Sequence, residues 1–271
     1  MQTNLWVKPN ISQSLLKDFT DYYEGNNKGC GEYLKRKHYM KMQTPTSEAQ
    51  LAGQYFEYLA TGYAKDKTNP PTPLIVNVGK KNEGIAKTFL NARQSAELFK
   101  QMIEFHKIKI LSAGDYWKHE DVSGIIDILA EWNGEKVLID LKQTALFDNK
   151  WDENGWETES LPYKAKMMLQ PIHYKYLARH ILGIYDIPFF FFVFSSREPE
   201  DAKIIKTNIQ EEHINLHESI TISKIRKYLE YHFNNPDTLE PRPTYMKCKA
   251  CPYNEACPFK STFPEVEEIY Y

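Results

Sequence analysis

The chain has 271 residues, 42% hydrophobic and 26% charged, with a formal net charge of −2. That is the composition of an ordinary soluble globular protein, long enough for one large domain or two small ones with ample core. So small a net charge excludes a general basic field, and any nucleic acid must be met by local patches.

The N-terminus, MQTNLWVKPN, lacks the apolar core of a signal peptide. The longest apolar run, IPFFFFVF at 187–194, is the size of a strand and far short of a membrane span. A soluble, intracellular protein with no membrane partner is therefore expected. A helix is predicted over 11–19, with Ser12 as its N-cap and Leu15, Leu16 and Phe19 on one face. A second is predicted over 46–61, capped by Ser47, with Leu51, Tyr55, Tyr58 and Leu59 on one face. NPPTP at 69–73 is a break, and helical periodicity returns over 83–106. Strands follow at 107–111, 117–122, 125–132 and 136–143, the last two joined by the hairpin signal Asn133-Gly134. A polar loop at 145–161 carries Trp151 and Trp156. Then come a helix at 162–182, strands at 187–196 and 203–209, a helix at 221–233 and an irregular tail rich in Pro and Cys at 241–259. Helices flanking a mixed sheet, with no evident linker, predict one α/β domain over 1–271.

Two carboxylates stand out in apolar strands: Asp127 in GIIDILAEW and Asp140 in VLIDLKQT. Lys142 shares a strand face with Asp140, because strand residues two apart point the same way. Counted from the Asn133-Gly134 turn, Asp127 lies six residues before it and Asp140 six after it. The two are thus expected as cross-strand partners on one face. Opposed like charges destabilise a hairpin unless a cation lies between them. Exposed edge charges paired with Lys142 are the plainer alternative. A divalent cation gives the pair a chemistry: carboxylate oxygens suit Mg²⁺ or Mn²⁺, the Leu141 carbonyl can add a ligand, and Lys142 can stabilise charge developing on a phosphorus.

Asp127, Asp140 and Lys142 form D-x₁₂-D-x-K, which resembles the core of the PD-(D/E)XK nucleases, with Ile126 where the motif's Pro stands. Gln170 and Tyr174, four apart on one helical face, resemble the Q-x₃-Y motif of the RecB-like branch, which implies DNA contact beside the active site. Gly53, Phe56 and Glu57 resemble the branch's G-x₂-φ-H context with Glu in place of His, which implies Glu57 as a further metal ligand. The resemblance implies a restriction-endonuclease-like fold with a mixed central sheet flanked by helices. It also implies metal-dependent exonuclease action on single-stranded DNA or DNA ends. Its rivals are a DNA-binding subunit of the same fold that does not cleave, and another phosphoryl substrate such as RNA or a nucleotide. No phosphate-binding glycine loop or helicase motif is present, so a helicase or recombination partner would be a separate chain.

Cys30, Cys248, Cys251 and Cys257 are the only cysteines, and three follow C-x₂-C-x₅-C. Four thiolates complete either a tetrahedral Zn²⁺ site or a [4Fe–4S] cluster. One distant cysteine plus a C-terminal triplet, with Ser12 and Ser14 ahead of Cys30, resembles the iron–sulfur staple of AddB-type and CRISPR-associated nucleases. That resemblance makes 1–45 and 240–271 the cluster region and 46–235 the nuclease core. Candidate DNA-facing groups are Lys164, Lys166, Lys175 and Arg179 on the 162–182 helix, Trp151 and Trp156 as base-stacking aromatics, and the SKIRK patch at 223–227. Solvated helix charge is the plainer account of the basic residues.

Overall fold

A computed structural model describes residues 6–23, 29–44, 46–81 and 83–263. In chain order these form α1 (Gln13–Tyr23), α2 (Gly31–Leu34) running into a π-helical turn (Lys35–Tyr39), α3 (Glu48–Thr61), the short strands β1 (Ile75–Val76) and β2 (Gly84–Ile85), and α4 (Lys87–Phe105). The strands β3 (Lys109–His119), β4 (Val122–Trp132) and β5 (Glu135–Thr144) follow, then α5 (Ala165–Leu182), β6 (Phe189–Ser195), β7 (Ala202–Thr207), α6 (Glu211–Leu216), α7 (Ser223–Asn234) and α8 (Tyr245–Ala250). The chain divides into two compact units, one from residues 1–45 with 218–271 and the other from 46–217. Among the described residues no helix is long and apolar enough to cross a membrane.

Residues 46–217 carry a five-stranded sheet ordered β3-β4-β5-β6-β7, antiparallel except for the central β5–β6 pair. Asn133 and Gly134 turn β4 into β5 with φ of 54° and 81°, the left-handed pair that a two-residue hairpin requires. IPFFFFVF supplies β6, and its run is apolar because both faces are covered. Phe192 and Phe194 meet Phe99 of α4, while Phe189 and Phe191 meet Tyr174 and Trp156. Phe56, Ala92, Ala96 and Phe99 pack on Ile128, Ile139 and Leu141 to form the core. Ser47 caps α3 through a reciprocal capping box with Gln50.

Several expectations are corrected. The predicted strands at 107–111 and 117–122 are one strand, β3, because Gly114 (φ 68°) and a register shift between Ile110 and Ser112 bend the ladder without ending it. The inward face of α3 is Ala52 and Phe56, with Tyr55 and Leu59 packed against the core beside them, whereas Leu51 is exposed. The start of the predicted 83–106 helix is β2, paired with β1.

In the other unit, Ser12 Oγ accepts the Leu15 N–H at 3.3 Å at the head of α1. Leu15, Leu16 and Phe19 are fully buried there, and Trp6 donates to the Phe233 carbonyl at 2.9 Å. Tyr245–Ala250 forms a short helix inside the tail read as irregular, with Thr244 accepting the Lys247 N–H.

Candidate active site

Period two puts Asp140 and Lys142 on the same side of β5, and their charged groups are paired. Gln170 of α5 donates its amide to the other Asp140 oxygen. The β4–β5 ladder runs from Trp132↔Glu135 to Ile128↔Ile139. The next step outward is Asp127 opposite Asp140. There the side chain replaces the ladder: Asp127 Oδ2 accepts the Leu141 N–H at 2.9 Å. The Asp127 carboxyl thus stands beside Asp140, opposite it across the hairpin.

Burial pushes the Asp140 carboxyl up from its ordinary value; Lys142 pulls it back and Asp127 raises it further. Burial alone would lower Lys142, but the carboxylates of Asp140, Asp127 and Glu57 more than offset it, and its ammonium is held above its ordinary value. Burial, then Asp127, pushes the Glu57 carboxyl up to about 7, with Lys142 opposing. The structure thus gathers Glu57, Asp127, Asp140 and Lys142.

Among the described residues, no three His, Cys, Asp or Glu side chains stand close enough to hold a metal ion as they are. At the acidic cluster, Lys142 and Gln170 occupy the Asp140 oxygens. The donors still suit Mg²⁺, which takes one or two carboxylates and keeps several waters. Crowded buried carboxyls with raised pKa are also what a divalent cation relieves.

Tyr174 is buried, hydrogen-bonded to Gln170, and shifted well upward first by burial and then by Asp140 and Asp127. Gly124 of β4 makes room for it: a Cβ there would stand 2.8 Å from the Tyr174 ring. Glu57, Asp127 and Tyr174 line a cleft of about 910 Å³, together with Tyr63 and the proline segment after it. Tyr63 carries no motif and went unremarked in the sequence; the glycine that seats it, Gly114, is the one available signal.

The expected basic residues are mostly occupied elsewhere. Lys175 is buried and paired with Asp186 at 3.2 Å, and Arg179 is bound to Asn215 and Glu211. Lys164 donates to the carbonyls of Asn149 and Gly155, and Lys166 pairs with Glu153. The structure does not bring Lys175 to the carboxylates. Trp156 is buried against Phe191, while Trp151 is 86% exposed with Lys150 over its ring.

Cys30, Cys248, Cys251 and Cys257 line a single cavity in the other unit. Cys30 Sγ accepts the Arg242 N–H at 3.4 Å and Cys248 Sγ the Ser261 N–H at 3.3 Å. Burial raises the Cys251 thiol, and the three other cysteines add to the rise. Lys247 lines the same cavity, with a buried ammonium that has no hydrogen-bond partner among the described residues. Four cysteines and a buried lysine amine without a hydrogen-bond partner, lining one cavity, fit a group with thiolate ligands.

A mixed sheet with Asp-x-Lys on a central strand and a second Asp on its hairpin partner defines a nuclease-type α/β core. The chain belongs to the PD-(D/E)XK nuclease superfamily, whose family model matches residues 36–258. Among solved structures, a protein of Eubacterium rectale described as a "putative exonuclease" is 18% identical, with 96% of this chain and 91% of that one covered at a TM-score of 0.63. That likeness is one of fold. A second structure, SSO0001, is 15% identical over 64% of this chain and 71% of that one, and at a TM-score of 0.30 it supports no inference. No curated protein matches the sequence.

Proposed function

We propose that this nuclease-superfamily chain is a divalent-metal-dependent deoxyribonuclease, an exonuclease acting on single-stranded DNA or DNA ends, and that its four cysteines hold a [4Fe–4S] cluster. The observation that carries the first reading is the buried Asp140, held by Lys142 and Gln170 beside Asp127 and Glu57 where a large cleft opens. Asp127, Asp140, the Leu141 carbonyl and Glu57 would hold Mg²⁺ or Mn²⁺. That ion, when bound, supplies Lewis acidity at a phosphodiester oxygen and a lowered pKa for its water. Lys142, freed from Asp140, directs its ammonium to the phosphoryl oxygens and stabilises charge developing on phosphorus. Gln170 keeps Asp140 in its rotamer. Burial and Asp127 raise the Glu57 carboxyl, and a cation held there would keep it ionised as a ligand. The cluster reading rests on the shared cavity, the two N–H···S bonds and the buried Lys247 amine. Zn²⁺ is its alternative, and brown colour with broad visible absorbance separates the two.

The test is cleavage of end-labelled single- and double-stranded DNA with Mg²⁺ or Mn²⁺, comparing native protein with Lys142→Ala. The expected result is metal-dependent shortening from an end, reduced in the variant by on the order of 10²–10³. Equal cleavage by both proteins would displace the chemistry from this site. No cleavage of either DNA form by folded protein would replace this reading with the DNA-binding subunit that does not cut.

A further inference from the structure

Three independent features converge on Tyr63. The first is its tether to the acidic helix. Tyr63 N donates to Thr61 Oγ1 at 3.0 Å, and Thr61 Oγ1 donates to the Glu57 carbonyl at 2.8 Å. Gly62, with φ of 76°, turns the chain between them. The tyrosine backbone is therefore fixed to the same turn of α3 that carries Glu57.

The second is the seat of its ring. In the β3–β4 register, Gly114 falls between the pairs Ala113↔Ile128 and Asp115↔Ile126, which puts it opposite Asp127. A Cβ on Gly114 would lie 1.9 Å from the Tyr63 ring. Gly114 also has φ of 68°, a conformation L side chains rarely adopt. The ring thus rests on bare strand backbone, next in line to the two carboxylates. Burial and then the Glu57 and Asp127 carboxylates hold its hydroxyl above its ordinary pKa, which attests to that closeness.

The third is the surroundings. Tyr63 is half-buried and lines the cleft of about 910 Å³, whose wall continues through Pro70, Pro71 and Pro73. A cleft of this size exceeds what a metal ion needs and reaches the upper range of small-ligand pockets. Proline-stiffened backbone with an aromatic face beside a carboxylate cluster suits an unpaired nucleotide, because stacking accepts any base.

Resting on the nuclease reading, we propose that Tyr63 is a substrate-contacting residue: its ring, seated on Gly114, stacks on the base beside the phosphate being cut and makes the cleft a channel for single-stranded DNA.

The test uses end-labelled single strands with one abasic site moved a position at a time from the end, cut with Mn²⁺. Native protein, Tyr63→Ala, Tyr63→Phe and Gly114→Ala are compared. For native protein, kcat/KM drops about tenfold to a hundredfold when the abasic site occupies the stacked position, the range of one base–aromatic stack. Tyr63→Ala loses a similar factor on ordinary DNA and no longer distinguishes the abasic strand. Tyr63→Phe keeps the discrimination, which assigns the effect to the ring and not the hydroxyl. Gly114→Ala, whose methyl displaces the ring, behaves as Tyr63→Ala does. A merely structural tyrosine would lower activity on both strands alike. An abasic penalty that survives in Tyr63→Ala, or no penalty at any position for the native protein, overturns the inference while the nuclease reading stands. Absence of cutting by the native protein overturns both.

Discussion

The two oxygens of Asp140 are held by groups of different kinds, an ammonium on its own strand and an amide from α5. Such a carboxylate is fixed in orientation before any cation arrives. Gln170→Ala removes the amide and leaves a buried oxygen without its donor. The expected loss is about 10–100-fold, as for other groups that orient a ligand. It should appear in kcat more than in KM, since the amide touches Asp140 and not the cleft. A KM effect alone, in steady-state cleavage of a labelled single strand, would instead make Gln170 a direct DNA contact. At this scale the sequence was informative where a rule of spacing applied. Period two aligned Asp140 with Lys142, and the hairpin turn placed Asp127 at the matching depth. No spacing rule could show that Asp127 would leave the ladder to bind the Leu141 N–H, or that Tyr63 would sit on Gly114. Those contacts depend on elements distant in sequence meeting in space.

The segment after β5 shows what happens when an element has no period to read. Its polar composition marked a loop, correctly, but not how firmly it is held. Lys203 donates to the carbonyls of Phe147 and Trp156, and Lys164 to those of Asn149 and Gly155. Asn149 Oδ1 accepts from the N–H groups of both Trp151 and Asp152. Lys164, a candidate DNA contact by sequence, thus serves together with Lys203 as a clamp on backbone carbonyls. The same clamping separates the two tryptophans, one turned into the core and one outward. Trp156→Ala should cost about 3–5 kcal/mol in urea unfolding, the usual loss for a buried large aromatic. Trp151→Ala should stay within about 0.5 kcal/mol, as surface changes do. Similar losses for the two variants would contradict this division. β3 was read as two strands for a related reason: Gly114 mimics a break in the pattern, while only the ladder shows that the strand continues through it.

At the scale of the molecule, residues far apart in sequence share a unit. Cys30 lies in one cavity with the C-terminal triplet, and the cysteine pattern alone signalled this. A second long-range device left no such signal, because it is built from two lone histidines. His173 of α5 and His217 are fully buried, with His173 Nδ1 at 3.2 Å from His217 Nε2. His173 Nε2 faces the Ser123 carbonyl at 3.1 Å. Tyr176 packs on the His217 ring. Since a carbonyl only accepts, His173 carries its proton on Nε2 and His217 donates to Nδ1. A proton added to His173 would take Nδ1, the acceptor of the His217 bond, and break it. Burial accordingly lowers His173 to about 4 and, with its neighbour, His217 to about 3. Unfolded imidazoles titrate near about 6.5. Above that pH both states are neutral and the pair adds no pH dependence. Between about 6.5 and 4 the unfolded chain takes up protons that the folded one refuses, so stability falls as pH falls. The slope approaches about 1.4 kcal/mol per pH unit for each histidine. Raised carboxyls such as Glu57 act in the opposite sense over part of this range, so the pair must be isolated by difference. Urea midpoints of native protein and a His173→Asn, His217→Gln double variant, taken between pH 7.5 and 5, provide that. The native protein should lose stability faster than the variant as the pH drops. Parallel curves would mean that the imidazoles gain protons in the fold as easily as in the unfolded chain, and that the buried pair does not resist acid.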